Sequence, residues 1–271
     1  MGPSGMIGKN MSNDAILIER KDRAGILTIN RPQTLNALDI PTLLELERGF
    51  DELEHDDSVR VIIITGAGDR AFVAGGDIAD LNSRQALAHY NEFAEVIHRV
   101  MRKVEVCDKP TIAAVNGWAL GGGTELLLAT DIRLLSEGCR LGLPEITLGI
   151  IPGAGGTQRL IRQVPLCRAK EIMFTGEHFT AQMAVDIGLA NRVVPAGKLM
   201  EEALALADRI AGESPLILKL LKRTLSNGAD MPLPAALAYE QATASLVFDS
   251  LDAHEGCSAF LQKRKAIFTG A

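Results

Sequence analysis

Two glutamates stand where a carboxylate seldom sits without a partner. Glu125 follows Gly121-Gly122-Gly123-Thr124 and precedes Leu126-Leu127-Leu128, while Glu145 lies within Leu141-Gly142-Leu143-Pro144-Glu145-Ile146. Desolvation lifts a carboxyl pKa toward values that suit proton transfer, so such a pair is a candidate for acid–base work. A first-turn helix charge and a solvated loop residue are the plainer assignments, and the neighbours alone leave both open.

Two glycine-rich turns accompany them. Gly75-Gly76-Asp77 and Gly117-Trp118-Ala119-Leu120-Gly121-Gly122-Gly123 each follow an apolar, strand-like run. Without a Cβ, glycine lets backbone N–H groups come close to a ligand. Helical sequence resumes at Glu125-Leu126-Leu127-Leu128-Ala129, so the free N–H groups and positive end of that helix would face an anion at the turn. Two such donors on one oxygen form an oxyanion hole. Tight strand–helix packing would use the same glycines, and spacing does not separate the two uses. A further turn, Pro152-Gly153-Ala154-Gly155-Gly156, opens the next helix.

Other chemistries fall away. Gly66-Ala67-Gly68-Asp69-Arg70-Ala71 has the spacing of a dinucleotide fingerprint, but Phe72-Val73-Ala74-Gly75-Gly76 cannot open the helix that motif needs. Neither a Walker A nor a G-x-S-x-G elbow occurs. His55, His89, His98, His178 and His254 lack ligand spacing, so no metal site is expected. Cys107, Cys139, Cys167 and Cys257 form no C-x-x-C pair and read as reduced thiols of a cytoplasmic protein.

The elements that must position these residues follow from periodicity. Ala15–Glu19 and Gly25–Asn30 read as a hairpin, ended by Asn30-Arg31-Pro32. Asp39 caps an amphipathic helix with Leu43, Leu46, Phe50 and Leu53 on one face. Val59–Thr65 reads as a strand buried on both faces, and residues 83–104 as one helical stretch. Strands at 111–115 and 132–135 follow, with a short helix between them. Later helices fall near 168–175, 180–187, 198–211, 215–227, 234–248 and 252–266. The expected organisation is a lead-in or expression remnant at 1–12, an α/β core at 13–195 and a helical region at 196–271. Leu216, Leu220, Leu221, Leu225, Leu246 and Phe248 exceed what one helical layer needs, so another surface must cover them.

Composition is that of an ordinary soluble globular protein. The 271 residues carry 28 basic and 34 acidic side chains, a formal charge of −6, with 4% aromatics. No basic stretch or stacking platform for nucleic acid is present. No apolar run is long enough for a membrane helix, and no secretory signal is visible.

Taken in order, Asn30-Arg31-Pro32…Asn36-Ala37-Leu38, Ala74-Gly75-Gly76-Asp77-Ile78, Asn116-Gly117…Gly121-Gly122-Gly123-Thr124-Glu125, Pro144-Glu145…Gly149 and Pro152-Gly153-Ala154-Gly155-Gly156 resemble the crotonase family. More narrowly, they are similar to enoyl-CoA hydratases, over about Ala15 to Phe268. The resemblance implies an α/β fold, a crotonase-like spiral of ββα repeats with a C-terminal helical trimerisation region. It implies an acyl-CoA thioester substrate, no metal or redox cofactor, and a homotrimer or dimer of trimers.

Residue by residue, the resemblance implies an oxyanion hole from the N–H groups of Gly76 and Gly122. Glu125 and Glu145 would hold the reacting water. CoA contacts would come from Ala74, Gly75, Asp77, Ile78 and Gly153, and from Phe260 and Lys263 of an adjoining subunit. Ala79 replaces the basic residue frequent in the family near the adenine. Leu81 and the 83–104 helix would bound the acyl group. Two retained glutamates favour hydration over double-bond isomerisation, which needs one carboxylate. An unusual acyl group is equally compatible, and a non-catalytic acyl-CoA-binding scaffold fits less well because all four site positions are retained.

Overall fold

Arg20 to Ala24 turns the chain back on itself and pairs β1 (Ile16–Lys21) antiparallel with β2 (Ala24–Ile29). The structure, a computed structural model, describes residues 14–271, so the expected lead-in at 1–12 lies outside the described residues. Asp39 accepts a hydrogen bond from Thr42 N at 2.9 Å and so starts α1 (Ile40–Glu54). The apolar face of α1, with Leu43, Leu46, Phe50 and Leu53, is buried.

From there one unit repeats. A strand enters a large sheet, a short strand enters a small sheet, and helices carry the chain back. The first unit is β3 (Val61–Gly66), β4 (Ala71–Val73), α2 (Ile78–Asn82), α3 (Ala86–Ala88), a π-turn at His89–Ala94 and α4 (Glu95–Val106). The second is β5 (Thr111–Val115), β6 (Trp118–Leu120) and α5 (Gly122–Leu128). The third is β7 (Ile132–Ser136), β8 (Arg140–Gly142), a 3-10 turn at Pro144–Leu148, α6 (Gly156–Gln163) and α7 (Leu166–Thr175). After β9 (Phe179–Thr180), α8 (Ala181–Asp186) and β10 (Arg192–Val194) the chain is helical: α9 (Leu199–Ala211), α10 (Pro215–Gly228), α11 (Leu233–Val247) and α12 (Leu251–Leu261). This is the crotonase spiral.

The large sheet runs β1-β2-β3-β5-β7-β10 and is parallel apart from the opening hairpin. Alternate residues of β3 serve two cores. Ile62 and Ile64 face the main cluster with Leu27, Leu46 and Val115, whereas Val61 and Ile63 meet Leu199, Ala203 and Leu206 of α9. Burial on both faces explains the unbroken apolar run. The small sheet runs β4-β6-β8-β9. Its strands have two or three residues, too few to show an alternation, and the sequence reading marks only the apolar run before Gly75 as strand-like.

Three helical boundaries also differ from expectation. The stretch at 83–104 is broken into α2, α3, the π-turn and α4, and its helical course starts earlier, because Asp77 caps α2 through Ala79 N and Asp80 N. The last helix stops at Leu261 instead of 266; Lys263 follows with φ 55°, a left-handed conformation that ends a helix. Helix α5 starts at Gly122, three residues before the expected start, so the triple glycine is its first turn.

That last difference has a packing cause. A Cβ on Gly123 would fall 2.0 Å from the Val73 carbonyl oxygen, so the helix start rests directly on the end of β4. Low helix propensity at this position is outweighed by an approach that only glycine permits. Gly123→Ala is expected to destabilise the fold by about 1–3 kcal/mol or more, at roughly 2–4 °C of Tm per kcal/mol. A Cβ on Gly122 meets nothing nearer than 3.5 Å, so Gly122→Ala should melt close to wild type. Thermal melts of the two variants check this, and equal Tm values would remove close approach as the constraint.

Candidate active site

The parallel pairing of β4 with β6 and of β6 with β8 brings three strand ends side by side. The segments leaving them are 74–77, 121–125 and 143–145, which contain every residue expected to do chemistry.

The first segment is held by a single bridge. Leu38 N donates to the Gly75 carbonyl at 2.9 Å and Asp77 N donates to the Leu38 carbonyl at 2.8 Å. Alternation along an extended backbone then points the Gly76 N–H the other way, toward Gly122. Arg31 reinforces this segment, bonding Asp39 at 2.9 Å and Asp77 at 3.5 Å. In the second segment, Gly121 N donates to the Gly142 carbonyl at 3.0 Å, and the residue turns with φ 50° and ψ −120°. This left-handed geometry favours glycine and aims the first free N–H of α5, that of Gly122, at the same space. A Cβ on Gly122 would lie 3.5 Å from Gly76 N. Neither N–H has an acceptor among the described residues. Together they are a ready pair of donors for one oxygen.

Glu125 sits one turn into α5 and is 3% exposed. Its Oε1 accepts from Ala154 N at 2.7 Å and Gly156 N at 2.8 Å, so the turn at 152–156 wraps the carboxylate as well as opening α6. Arg159 fixes that turn by donating to the Ala154 carbonyl at 3.0 Å while its fork meets both oxygens of Glu105 at 3.0 Å. Thr124 is buried beside it, and its single hydroxyl proton lies within reach of the Ala119 carbonyl at 2.6 Å and the Gly142 carbonyl at 2.9 Å, tying α5 to β6 and β8. Sequence reasoning missed both Arg159 and Thr124. An arginine three residues into a helix that follows a glycine turn was the visible signal for the first.

Glu145 enters from the 3-10 turn after β8 and is partly buried. Its Oε1 stands 3.0 Å from where a Gly121 Cβ would be, and its Oε2 is buried with no hydrogen-bond partner. The solvated-loop assignment does not hold for it. Burial and the nearby Glu125 charge push the Glu145 carboxyl up to about 7. Burial also pushes Glu125 up, against the pull of its two N–H donors and of Arg159. Those donors favour the charged form of Glu125, and Glu145, which lacks them, is the member of the pair that holds a proton more readily.

The remaining expected residues are placed as follows. Ala74 N donates to the Leu35 carbonyl at 3.1 Å, Gly75 turns with φ 111°, and Ile78 is exposed on α2. The Asp77 side chain is engaged in capping α2 and in the Arg31 contact. Leu81 lies against Gly76, and Gly153 is exposed on the turn that wraps Glu125. Phe260 lies near the end of α12 in a cavity of about 290 Å³ with Gly212, Glu213 and Phe268. Phe260 and the exposed Lys263 touch neither glutamate within one chain. Among the described residues, no three His, Cys, Asp or Glu side chains gather as a metal-ligating group.

A ββα spiral with two free N–H groups over one buried and one partly buried glutamate defines a class, and comparison with known proteins agrees. The family model for enoyl-CoA hydratase/isomerase matches residues 19–271. A short-chain-enoyl-CoA hydratase of Clostridium acetobutylicum is 40% identical over 94% of this chain and 97% of its own length. A 2,3-dehydroadipyl-CoA hydratase of Escherichia coli is 42% identical over 94% of this chain and 98% of its own. The crystal structure of an enoyl-CoA hydratase from Bacillus anthracis superposes with a TM-score of 0.91 at 38% identity, covering 95% of this chain and 100% of that one. The chain belongs to the enoyl-CoA hydratase/isomerase family.

The carboxylate arrangement predicts a pH signature. A carboxyl raised from its ordinary 4.5 to about 7 holds its proton more tightly in the folded chain than in the unfolded one. Its contribution to stability is therefore full below the unfolded value and is lost as pH rises through the folded one. Glu145→Gln, which stays neutral, should melt a few degrees above wild type near about pH 8.5, with the gap closing toward about pH 5. Calorimetric melts across that range check it. A pH-independent gap would mean that Glu145 is not raised.

Proposed function

We infer that this chain hydrates enoyl-CoA thioesters, adding water reversibly across the α,β double bond to give 3-hydroxyacyl-CoA. The carrying observation is the second buried glutamate. Moving a double bond relocates one proton and needs one carboxylate, whereas hydration must deliver hydroxide to Cβ and a proton to Cα. The thioester oxygen docks on the Gly76 and Gly122 N–H groups, which take up the negative charge as an enolate develops. Glu125, carrying the charge of the pair, orients and deprotonates the water. Glu145, carrying the proton, supplies Cα and is reprotonated through the water or the solvent. The buried, unpartnered Oε2 of Glu145 suits a proton donor awaiting its acceptor.

CoA itself is part of the substrate, and this scheme uses no metal or redox cofactor. Backbone contacts from 74–78 reach the nucleotide end, Gly153 adds a substrate contact beside Glu125, and Phe260 and Lys263 arrive from a neighbouring subunit. Among the described residues no helix is long and apolar enough to cross a membrane. The free thiols of Cys107, Cys139, Cys167 and Cys257 fit a reducing, cytoplasm-like compartment.

Hydration of crotonyl-CoA, followed by loss of enoyl-thioester absorbance, tests the assignment. Glu125→Gln and Glu145→Gln should each lower the rate by about 10²-fold or more. The double variant should be little worse than the poorer single one, because the pair acts on one water. Gly122→Ala places a methyl over the Gly76 donor and should lower kcat by roughly 10²-fold or more. Near-full hydration by folded Glu125→Gln would instead indicate an isomerase, and indifference to both glutamates a scaffold.

The C-terminal helices support a homotrimer or a dimer of trimers. No residue of α11 is buried, and Leu233, Leu237, Leu246, Phe248 and Leu251 are all exposed. A soluble protein does not leave so much apolar surface wet. Light scattering at micromolar concentration should give three or six chain masses. A monomer would remove both the oligomer and the cross-subunit contacts of Phe260 and Lys263.

A further inference from the structure

Helices α5 and α6 meet the site with their first turns. Gly122 opens α5 and Glu125 lies one turn in, while Gly156 opens α6 and donates to Glu125. The far ends of the same two helices meet at one side chain. Arg133 of β7 is 8% exposed, and its Nη2 donates to the Leu128 and Thr130 carbonyls at 3.1 and 2.9 Å, where α5 ends. Its Nη1 donates at 2.6 Å to Oε1 of Gln163, the last residue of α6, and at 2.9 Å to the Leu189 carbonyl. Gln163 closes the ring, with Nε2 donating to the Leu128 carbonyl at 3.1 Å.

This arrangement costs stability. Among the described residues no carboxylate pairs with Arg133, and Asp131, two residues away, is taken by Lys222 at 2.7 Å. Burial pushes the guanidinium down to about 10, so it keeps its charge at neutral pH. Its Nε is buried with no hydrogen-bond partner. A buried charge held by neutral oxygens, with one donor orphaned, is poor at stabilising a fold. What the planar fork does achieve is geometric, because it grips the ends of α5 and α6 together. Its own backbone is fixed in the large sheet, where β7 lies between β5 and β10 and Arg133 N donates to Asn191 Oδ1 at 2.8 Å.

We propose that Arg133 is a positioning residue of the active site: through the far ends of α5 and α6 it holds the Gly122 N–H on the thioester oxygen and Glu125 on its two donors. This rests on the hydratase reading above. The seven residues of α5 span only about 10 Å, so a tilt at Leu128 moves Gly122 by a comparable amount. A shift of about 1 Å at the reacting groups costs roughly 10²-fold in rate even when its origin is remote. Arg133 itself touches no reacting atom.

The test measures kcat and KM for crotonyl-CoA hydration in wild type, Arg133→Lys, Arg133→Met and Gln163→Met. Infrared spectra of bound butyryl-CoA, isotopically labelled at its thioester carbonyl, show without turnover how strongly the two N–H groups polarise that bond. Arg133→Met should lower kcat by roughly 10- to 100-fold with little change in KM, and should shrink the downshift of the carbonyl stretch. Arg133→Lys keeps the charge and part of the donor set, and should recover part of both. Gln163→Met should move both in the same direction as Arg133→Met, by a smaller factor. A merely structural role would reduce the folded fraction and leave the carbonyl stretch of the remaining complex where it was. That result, or wild-type kcat in the folded variants, overturns the proposal. If Arg133→Met does not fold, Arg133→Lys and the partly buried Gln163→Met decide it. A downshift that the variants diminish, in a protein that hydrates nothing, would sink the hydratase reading and leave the positioning role standing. Binding of no acyl-CoA would overturn both.

Discussion

The contact of Gly123 with the Val73 carbonyl sets the distance on which the site depends. It seats the first turn of α5 on the end of β4, where any side chain would meet carbonyl oxygen at 2.0 Å. Because β4 and β6 are parallel neighbours, that seat also fixes the gap between the segment at 74–77 and the start of α5. Were the helix lifted by one methyl group, Gly122 N would leave Gly76 N and the two donors would no longer share one oxygen. A main-chain approach of this kind costs no rotamer entropy and does not relax when a ligand leaves. The dipoles are therefore already aimed when charge develops, which is where electrostatic catalysis gains most.

The carboxylates follow a different principle. Burying Glu125 is tolerated because Ala154 N and Gly156 N meet it on one oxygen and Arg159 pins the turn that supplies them. Glu145 has no such support: one oxygen is orphaned and the group is pushed up to about 7. An unsatisfied buried polar atom is a stability cost, and a site that retains one uses it. Two like groups in unlike surroundings separate into a base and an acid, without either needing an unusual side chain.

What the sequence made legible was chemistry set against its background. Glycine clusters and lone glutamates in apolar runs are visible because both break the pattern around them. The strands of the large sheet were visible for the reverse reason, since Val61–Thr65 and Thr111–Val115 are apolar without a break. The small sheet was not visible, because a three-residue strand has no period and its pairing partners lie some 20 to 50 residues away. The start of α5 at Gly122 was hidden by propensity: three glycines read as a turn until the proximity of Val73 is known. Thr124 and Arg159 act through partners distant in the chain, and only Arg159 carries a local signal, its place just inside the helix that follows a glycine turn.

The same topology separates the reacting groups from the rest of the spiral. Both donors and both glutamates sit on segments that leave small-sheet strands, held by the pairing of β4, β6 and β8. The helical passage between β4 and β5 contributes no strand to either sheet. That passage is anchored at Asp77, which caps α2, and at α4, whose Ile97, Val100, Met101 and Val104 enter the core. Between those anchors the backbone runs through two short helices and a π-turn, the least regular stretch near the site. Gly76 does not depend on that stretch, because it is fixed from the opposite side by Leu38. The donor pair then rests on main-chain geometry that tolerates little substitution, whatever the irregular stretch beside it does.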